Sequence, residues 1–256
     1  MLSPDILKGP RLKVERAYRH LDEFRAFTEP LHRSFYEITF DKHSIFPELQ
    51  EPGLYVHYRP LQPIPELLAL VVGDAAHNLR SALDHLATGI CRSVKHGAKE
   101  HFPIHPKRKN LETAPVLSLI EKAIPGAKKT FLEQIRPENG PHENLWRFND
   151  LNNDDKHNLL IPTVAITNIT GINITMPGGP SFRDNLHSGD ATRPQALYAV
   201  TGFLGNITVE NNPTVSVDVR FGEGTPFKDE PVLPTFVQIA QVVSKTIDAF
   251  ENLIVG

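Results

Sequence analysis

The sequence predicts an α+β fold, an antiparallel bundle of about four main helices with an added antiparallel β-sheet. Three observations predict it. Apolar residues recur at helical spacing over four long stretches, about residues 9–28, 64–95, 142–160 and 234–254. Two other tracts, about residues 34–58 and 163–221, alternate in polarity and are rich in Val, Ile, Thr and Tyr. The chain of 256 residues is 40% apolar and 22% charged, enough to bury a real core as a single domain over 1–256.

The elements follow in order. Val14, Tyr18, Leu21, Phe24 and Phe27 mark one face of the first helix, which Pro30 limits. Short strands follow at residues 34–41 and 54–58, linked through Pro47, Pro52 and Gly53. Pro60, Pro63 and Pro65 precede the long second helix, and Gly97 is its expected stop. Residues 95–110 read as a basic, His-bearing connector. Short helices are expected near 116–124 and 128–135, separated by Pro125-Gly126. The helix over 142–160 carries Leu145, Trp146, Phe148, Leu151 and Leu159. Strands are expected at 163–176 and 196–221, with a loop between them. The last helix places Phe236, Ile239, Val243, Ile247, Phe250 and Ile254 on one face. No internal repeat or low-complexity tract interrupts this order.

The formal net charge is −3, so no global positive excess drives nucleic-acid binding, although a local basic patch can. The lone Cys91 cannot form an internal disulfide, which points to a reducing cytoplasm. The N-terminal stretch lacks the apolar core of a signal peptide, and no apolar run reaches the roughly 18–20 residues that span a bilayer. No membrane partner is expected. The N-x-T triplets at Asn168, Asn173 and Asn206 read as polar strand positions.

The second helix carries the chemistry. At roughly 100° per residue, His77, Asp84, Ser81, Asp74, His85 and Asn78 fall on one strip, with Arg80 beside it near −60°. Leu68, Val72, Leu79, Ala82, Leu83, Leu86 and Ile90 take the opposite side. Solvated helix faces usually use Lys, Glu, Gln and Arg. This strip uses short groups with fixed donors and acceptors, which suit a polar network between helices or a functional site. A second cluster, Asn153-Asp154-Asp155-Lys156-His157, reads either as a cap or turn sequence or as groups facing the strip across the bundle.

The motifs GDAAHNLRSALDHLA (73–87), HFPIHP (101–106) and LNNDDKHNLL (151–160) together resemble a bacterial family of uncharacterised soluble proteins. The family pattern is G-D/E-x-x-H-N-L-R-x-x-L-D-H-L, then F-P-I, then N-x-D-K-H. The match includes Gly73, Asp74, His77, Asn78, Arg80, Asp84, His85, Phe102, Asn153, Asp155, Lys156 and His157. That family brings no established activity.

Arg80 and His85 also fit the R-x(4–6)-H motif of HEPN domains (higher eukaryotes and prokaryotes nucleotide-binding), which this segment resembles. Ser81 stands where HEPN motifs commonly place Asn, Asp or His. The resemblance implies a helical, metal-independent endoribonuclease or RNA-binding protein acting as a homodimer. His85 would then move the proton, Arg80 would stabilise phosphorane charge, and Asn78 or Asp84 would orient the imidazole, with His77 beside them. Asp155, Lys156, His157, Lys107 and Arg108 are the expected substrate-binding residues, with Lys95, Lys99 and Lys109 as further backbone contacts. RNA is the expected partner and no cofactor is expected.

Two alternatives stand beside this reading. One is a metal-dependent hydrolase using Asp74, His77, Asp84, His85, Asp155 and His157, although His77 and His85 lie two turns apart and no HExxH motif occurs. The other is a non-catalytic module whose polar strip fixes helix register.

Overall fold

The computed structural model describes the chain except residues 1–2, 50, 139–143, 159–162, 177–178, 180, 184–185, 203–206 and 256. The side chains of residues 32, 154–158, 163–164 and 210–212 are also outside the description. The fold is α+β, with long helices and antiparallel sheets. Among the described residues, no helix is long and apolar enough to cross a membrane.

Two compact units form, each from segments distant in sequence. The first comprises Met1–Phe24, Leu67–Pro162 and Phe221–Gly256, and the second Arg25–Glu66 and Thr163–Arg220.

The first unit is helical. It holds most of α1 (Lys8–Thr28), then α2 (Leu67–Arg92), α3 (Arg108–Glu112), α4 (Pro115–Ala123), α5 (Ala127–Thr130), α6 (Asn144–Asn158) and α7 (Val232–Val255). Helices α4, α6 and α7 pack against α2, and all seven apolar positions expected on its core side are buried. The α7 stripe is buried from Phe236 to Phe250, while Ile254 is half-buried. On α1 the stripe differs from the sequence reading. Val14, Ala17, Leu21 and Phe24 are buried, whereas Tyr18 is exposed. The i, i+3, i+7, i+10 row excludes Tyr18, which lies about 100° from Ala17.

Several boundaries move for identifiable reasons. Helix α2 starts at Leu67 rather than 64, because a residue ahead of proline, as Ile64 is, avoids helical geometry. It ends at Arg92 rather than 95, where the Val94 and Lys95 N–H groups both turn back to the Cys91 carbonyl. Gly97 then takes a φ of 72°, which glycine adopts without steric cost. Helix α7 begins at Val232, since Pro234 fits in a first turn. The expected helix over 128–135 is a short α5 followed by a π-turn, Phe131–Ile135. The connector over 95–110 ends in the first residues of α3. The ends of the helix expected over 142–160 lie outside the described residues.

The second unit carries two sheets where one was expected. β1 (Tyr36–Asp41), β2 (Gly53–Pro60) and β6 (Gln195–Thr201) form one, with β2 central and antiparallel to both. In the other, β3 (Thr163–Thr175) pairs with β4 (Ser181–Phe182), β5 (His187–Asp190) and β7 (Thr208–Phe221). The expected loop over 177–194 therefore contains β4 and β5. Their residues carry no apolar alternation, so backbone pairing with β3 defines them. Along β3, Ala165, Thr167 and Ile169 are buried, then Ile172 and Ile174. The parity changes at Gly171, whose φ is 76°.

Candidate functional site

The polar strip of α2 does not act as one surface. Asp74 and His77 are exposed, and the Ser81 hydroxyl lies 3.5 Å from the His77 ring. Asn78 is buried. It donates to the Asp74 carbonyl at 2.8 Å and accepts from Lys13 of α1 at 3.4 Å, so it ties α1 to α2.

Arg80 is buried, and its guanidinium is engaged on three sides. It meets the Asp84 carboxylate in a two-bond fork at 2.8 and 3.3 Å. It also donates to Asn149 Oδ1 of α6 at 2.9 Å and to the Phe102 carbonyl at 3.0 Å. Asp84 in turn accepts the Phe102 N–H at 2.9 Å. Phe102 packs its ring on Phe131, centroids 5.1 Å apart.

This contact is one end of a longer fastening. Thr88 donates to the Glu100 carbonyl at 2.7 Å, and Arg92 Nε to the Ala98 carbonyl at 2.9 Å. Residues 84, 88 and 92 of α2 thus hold residues 102, 100 and 98 of the connector. The spacing has a simple cause. Four residues of α-helix rise about 6 Å, and two residues of extended chain advance about 6.6 Å. A connector running back along α2 therefore meets one side chain per helical turn. Extended geometry sends alternate side chains outward, and Lys99 and His101 are both exposed while Ala98 and Phe102 are buried.

The result is a cleft of about 460 Å³ lined by Asp84, His85, Thr88, Gly89, Arg92, Lys99, Glu100 and His101. His101 Nδ1 lies 3.1 Å from Asp84 Oδ2. A carboxylate at that distance favours the tautomer that carries its proton on Nδ1. The His85 ring stands over Gly9 of α1, where an added Cβ would come within 3.4 Å of its Nδ1. Among the described residues, the cleft gathers two imidazoles, two carboxylates and two cations.

Of the residues singled out in the sequence, Asp84 and His85 line this cleft, and Arg80 sits behind Asp84. His77 and Asn78 do not line it. Lys107 is exposed at the start of α3. Arg108 is engaged by Glu112 and the Leu132 carbonyl. Neither Lys107 nor Arg108 lines the cleft. Asp155, Lys156 and His157 lie on α6, but their side chains are outside the described residues. His101, Arg92 and Glu100 were not selected from sequence. Thr88 and Arg92 fall near +20° and +60° on the same angular scale as the strip, so a signal for them was present. Among the described residues, no three His, Cys, Asp or Glu side chains gather as a metal-holding group.

Comparisons of the chain with family models, curated proteins and solved structures returned no match.

Proposed function

We propose that this chain is a HEPN-like, metal-independent endoribonuclease whose acid–base groups are His85 and His101. The observation that carries the reading is the His101–Asp84 contact at 3.1 Å, on the same cleft as His85. One imidazole takes the proton of an RNA 2′-OH as its oxygen attacks the adjacent phosphorus. The other protonates the departing 5′-oxygen. Arg92 and Lys99 stand where cations would offset charge on the phosphorane oxygens. Asp84 orients His101, and Arg80 fixes Asp84, so Arg80 is a positioning residue in this reading. Lys107 and Lys109, both exposed, supply phosphate contacts beyond the cleft. The reading takes α1, α2, α6 and α7 as an antiparallel four-helix frame and a cytoplasmic homodimer as the working form.

The test is cleavage of a single-stranded RNA in excess EDTA, with an all-deoxy strand as control. Products ending in 2′,3′-cyclic phosphate are expected. If His85→Ala and His101→Ala cut as fast as the parent chain, the proposal fails.

A second reading is favoured by Arg80, whose buried guanidinium is engaged, among the described residues, by Asp84, Asn149 and Phe102. Here the strip is a non-catalytic fastening of the connector to α2 and α6. It expects substitutions in the strip to lower stability, with no RNA cleavage by the parent chain.

A further inference from the structure

The second unit holds a separate group of chemically capable side chains, Asp41, Ser44 and His57. In the β1–β2 pair Thr39 stands opposite His57, so Asp41 is the diagonal neighbour of His57 on one sheet face. The chain after β1 brings Ser44 to the other edge of the imidazole. Ser44 Oγ lies 3.4 Å from His57 Nε2, and Asp41 Oδ2 lies 3.5 Å from Nδ1. His57 is only 1% exposed, and its Nδ1 is buried without a hydrogen-bond partner. The Asp41 carboxylate is just beyond hydrogen-bonding geometry and within ion-pair range of it.

Two backbone donors complete the arrangement. The Ile45 N–H points at Nε2 at 3.5 Å, and the Phe46 N–H donates to Ser44 Oγ at 3.0 Å. A donor aimed at Nε2 requires a lone pair there, so the ring proton sits on Nδ1, facing Asp41. That is the tautomer a serine-activating base needs. The register of β2 on β6 shifts between Val56 and His57, an irregularity of the kind that re-aims a side chain. The rings of Tyr55 and Phe46 each lie 5.9 Å from the imidazole, centroid to centroid, the first nearly parallel to it.

We propose that Ser44, His57 and Asp41 form an acyl-transfer site for esters of short acyl groups. The Ser44 hydroxyl proton passes to His57 Nε2 as the Oγ–carbon bond forms. The tetrahedral adduct then breaks its carbon–oxygen bond to the leaving alkoxide, which takes that proton. Water repeats the sequence, releases the acid and restores the serine. In the tetrahedral adduct Oγ is bonded to carbon and Nε2 is protonated, so neither accepts as before. The Ile45 and Phe46 N–H groups are then released toward the oxyanion. Exposed Ile45 provides an apolar side for a short acyl chain.

The test treats the full chain with a fluorophosphonate and locates the adduct by peptide mass spectrometry, alongside hydrolysis of p-nitrophenyl acetate. The expected result is an adduct on Ser44, with hydrolysis lost in Ser44→Ala. Asp41→Asn, an isosteric change at an exposed position, slows labelling by at least about tenfold, because the ring loses the partner of its charged form. An unmodified Ser44, undiminished hydrolysis in Ser44→Ala, or parental labelling of Asp41→Asn each overturns the proposal.

Discussion

Arg80 and Asp84, one helical turn apart on α2, hold Phe102 by both of its backbone polar groups: Arg80 donates to its carbonyl at 3.0 Å and Asp84 accepts its N–H at 2.9 Å. The pair also bonds to itself through a two-bond fork. A buried guanidinium is costly unless its donors are matched, and here the matches come from a side chain on α6, a carboxylate and a loop carbonyl. The motif residues Arg80, Asp84 and Phe102 thus share one structural task.

Removing one member should be severe. Arg80→Ala leaves Asp84 without its buried cation and is expected to lower stability by about 3–5 kcal/mol. Arg80→Lys should recover less than half of that, since an ammonium cannot make the fork. Urea denaturation of the first unit, followed by the fluorescence of Trp146 on α6, measures both. A loss below about 1 kcal/mol for Arg80→Ala would contradict the buried-network account.

Thr88→Val tests the next rung alone. The shape is kept and one hydrogen bond to the Glu100 carbonyl is lost, so the expected cost is about 1 kcal/mol. Faster hydrogen exchange confined to residues 98–102 should accompany it. Unchanged exchange there would mean that the other rungs hold the connector unaided.

In RNA cleavage, His101→Ala is expected to lower kcat by about 10²–10⁴, the usual contribution of a positioned acid or base. Lys107→Ala should instead raise KM and weaken its salt dependence while kcat stays near the parent value. Equal effects of the two substitutions on kcat would remove the distinction between chemistry and phosphate contact.

Cys91 should behave as an inert thiol. Burial pushes it up to about 11, with the Glu100 carboxylate adding to the effect. At pH 8 it is therefore protonated as well as enclosed. Iodoacetamide should leave the native chain unmodified and label one site per chain only in denaturant. Rapid native labelling would show that the α2 core opens.

His187 on β5 supplies a pH dependence with a definite sign. Burial holds its imidazole below the ordinary value of 6.5, with Nε2 unpartnered and the ring edge-on to Tyr198 at 4.5 Å. The unfolded chain therefore binds this proton at a higher pH than the folded one. The contribution of His187 to stability falls as pH drops through 6.5 toward the folded value, and this group contributes no slope above that window. His187→Phe should flatten the fall of the melting temperature below about pH 6.5. An unchanged slope would assign the acid sensitivity to other groups.

Helix existence and sheet-forming tracts were legible because periodicity survives in the sequence. The stripes of α2 and α7 are long, and each apolar position reports the same face. The parity change at Gly171 and the strands β4 and β5 were not, because they depend on backbone pairing rather than side-chain pattern. The candidate site was legible in half. Asp84 and His85 belong to a helix whose angles can be calculated, but His101 and Lys99 reach the cleft only through the path of the connector. That path is written in Thr88 and Arg92, which look like ordinary helix residues until their partners are known.

The fastening of the connector has a consequence for how this chain could change. Every rung ends on a main-chain atom, so the grip does not depend on the side chain at position 99, whereas His101 adds a side-chain contact of its own to Asp84. Position 99 is a fixed mount with an exchangeable tool. A substitution there could replace an ammonium by another group without breaking any of these rungs. A duplicated copy could in this way reline its cleft, while its folding stayed under the control of Arg80, Asp84, Thr88 and Arg92.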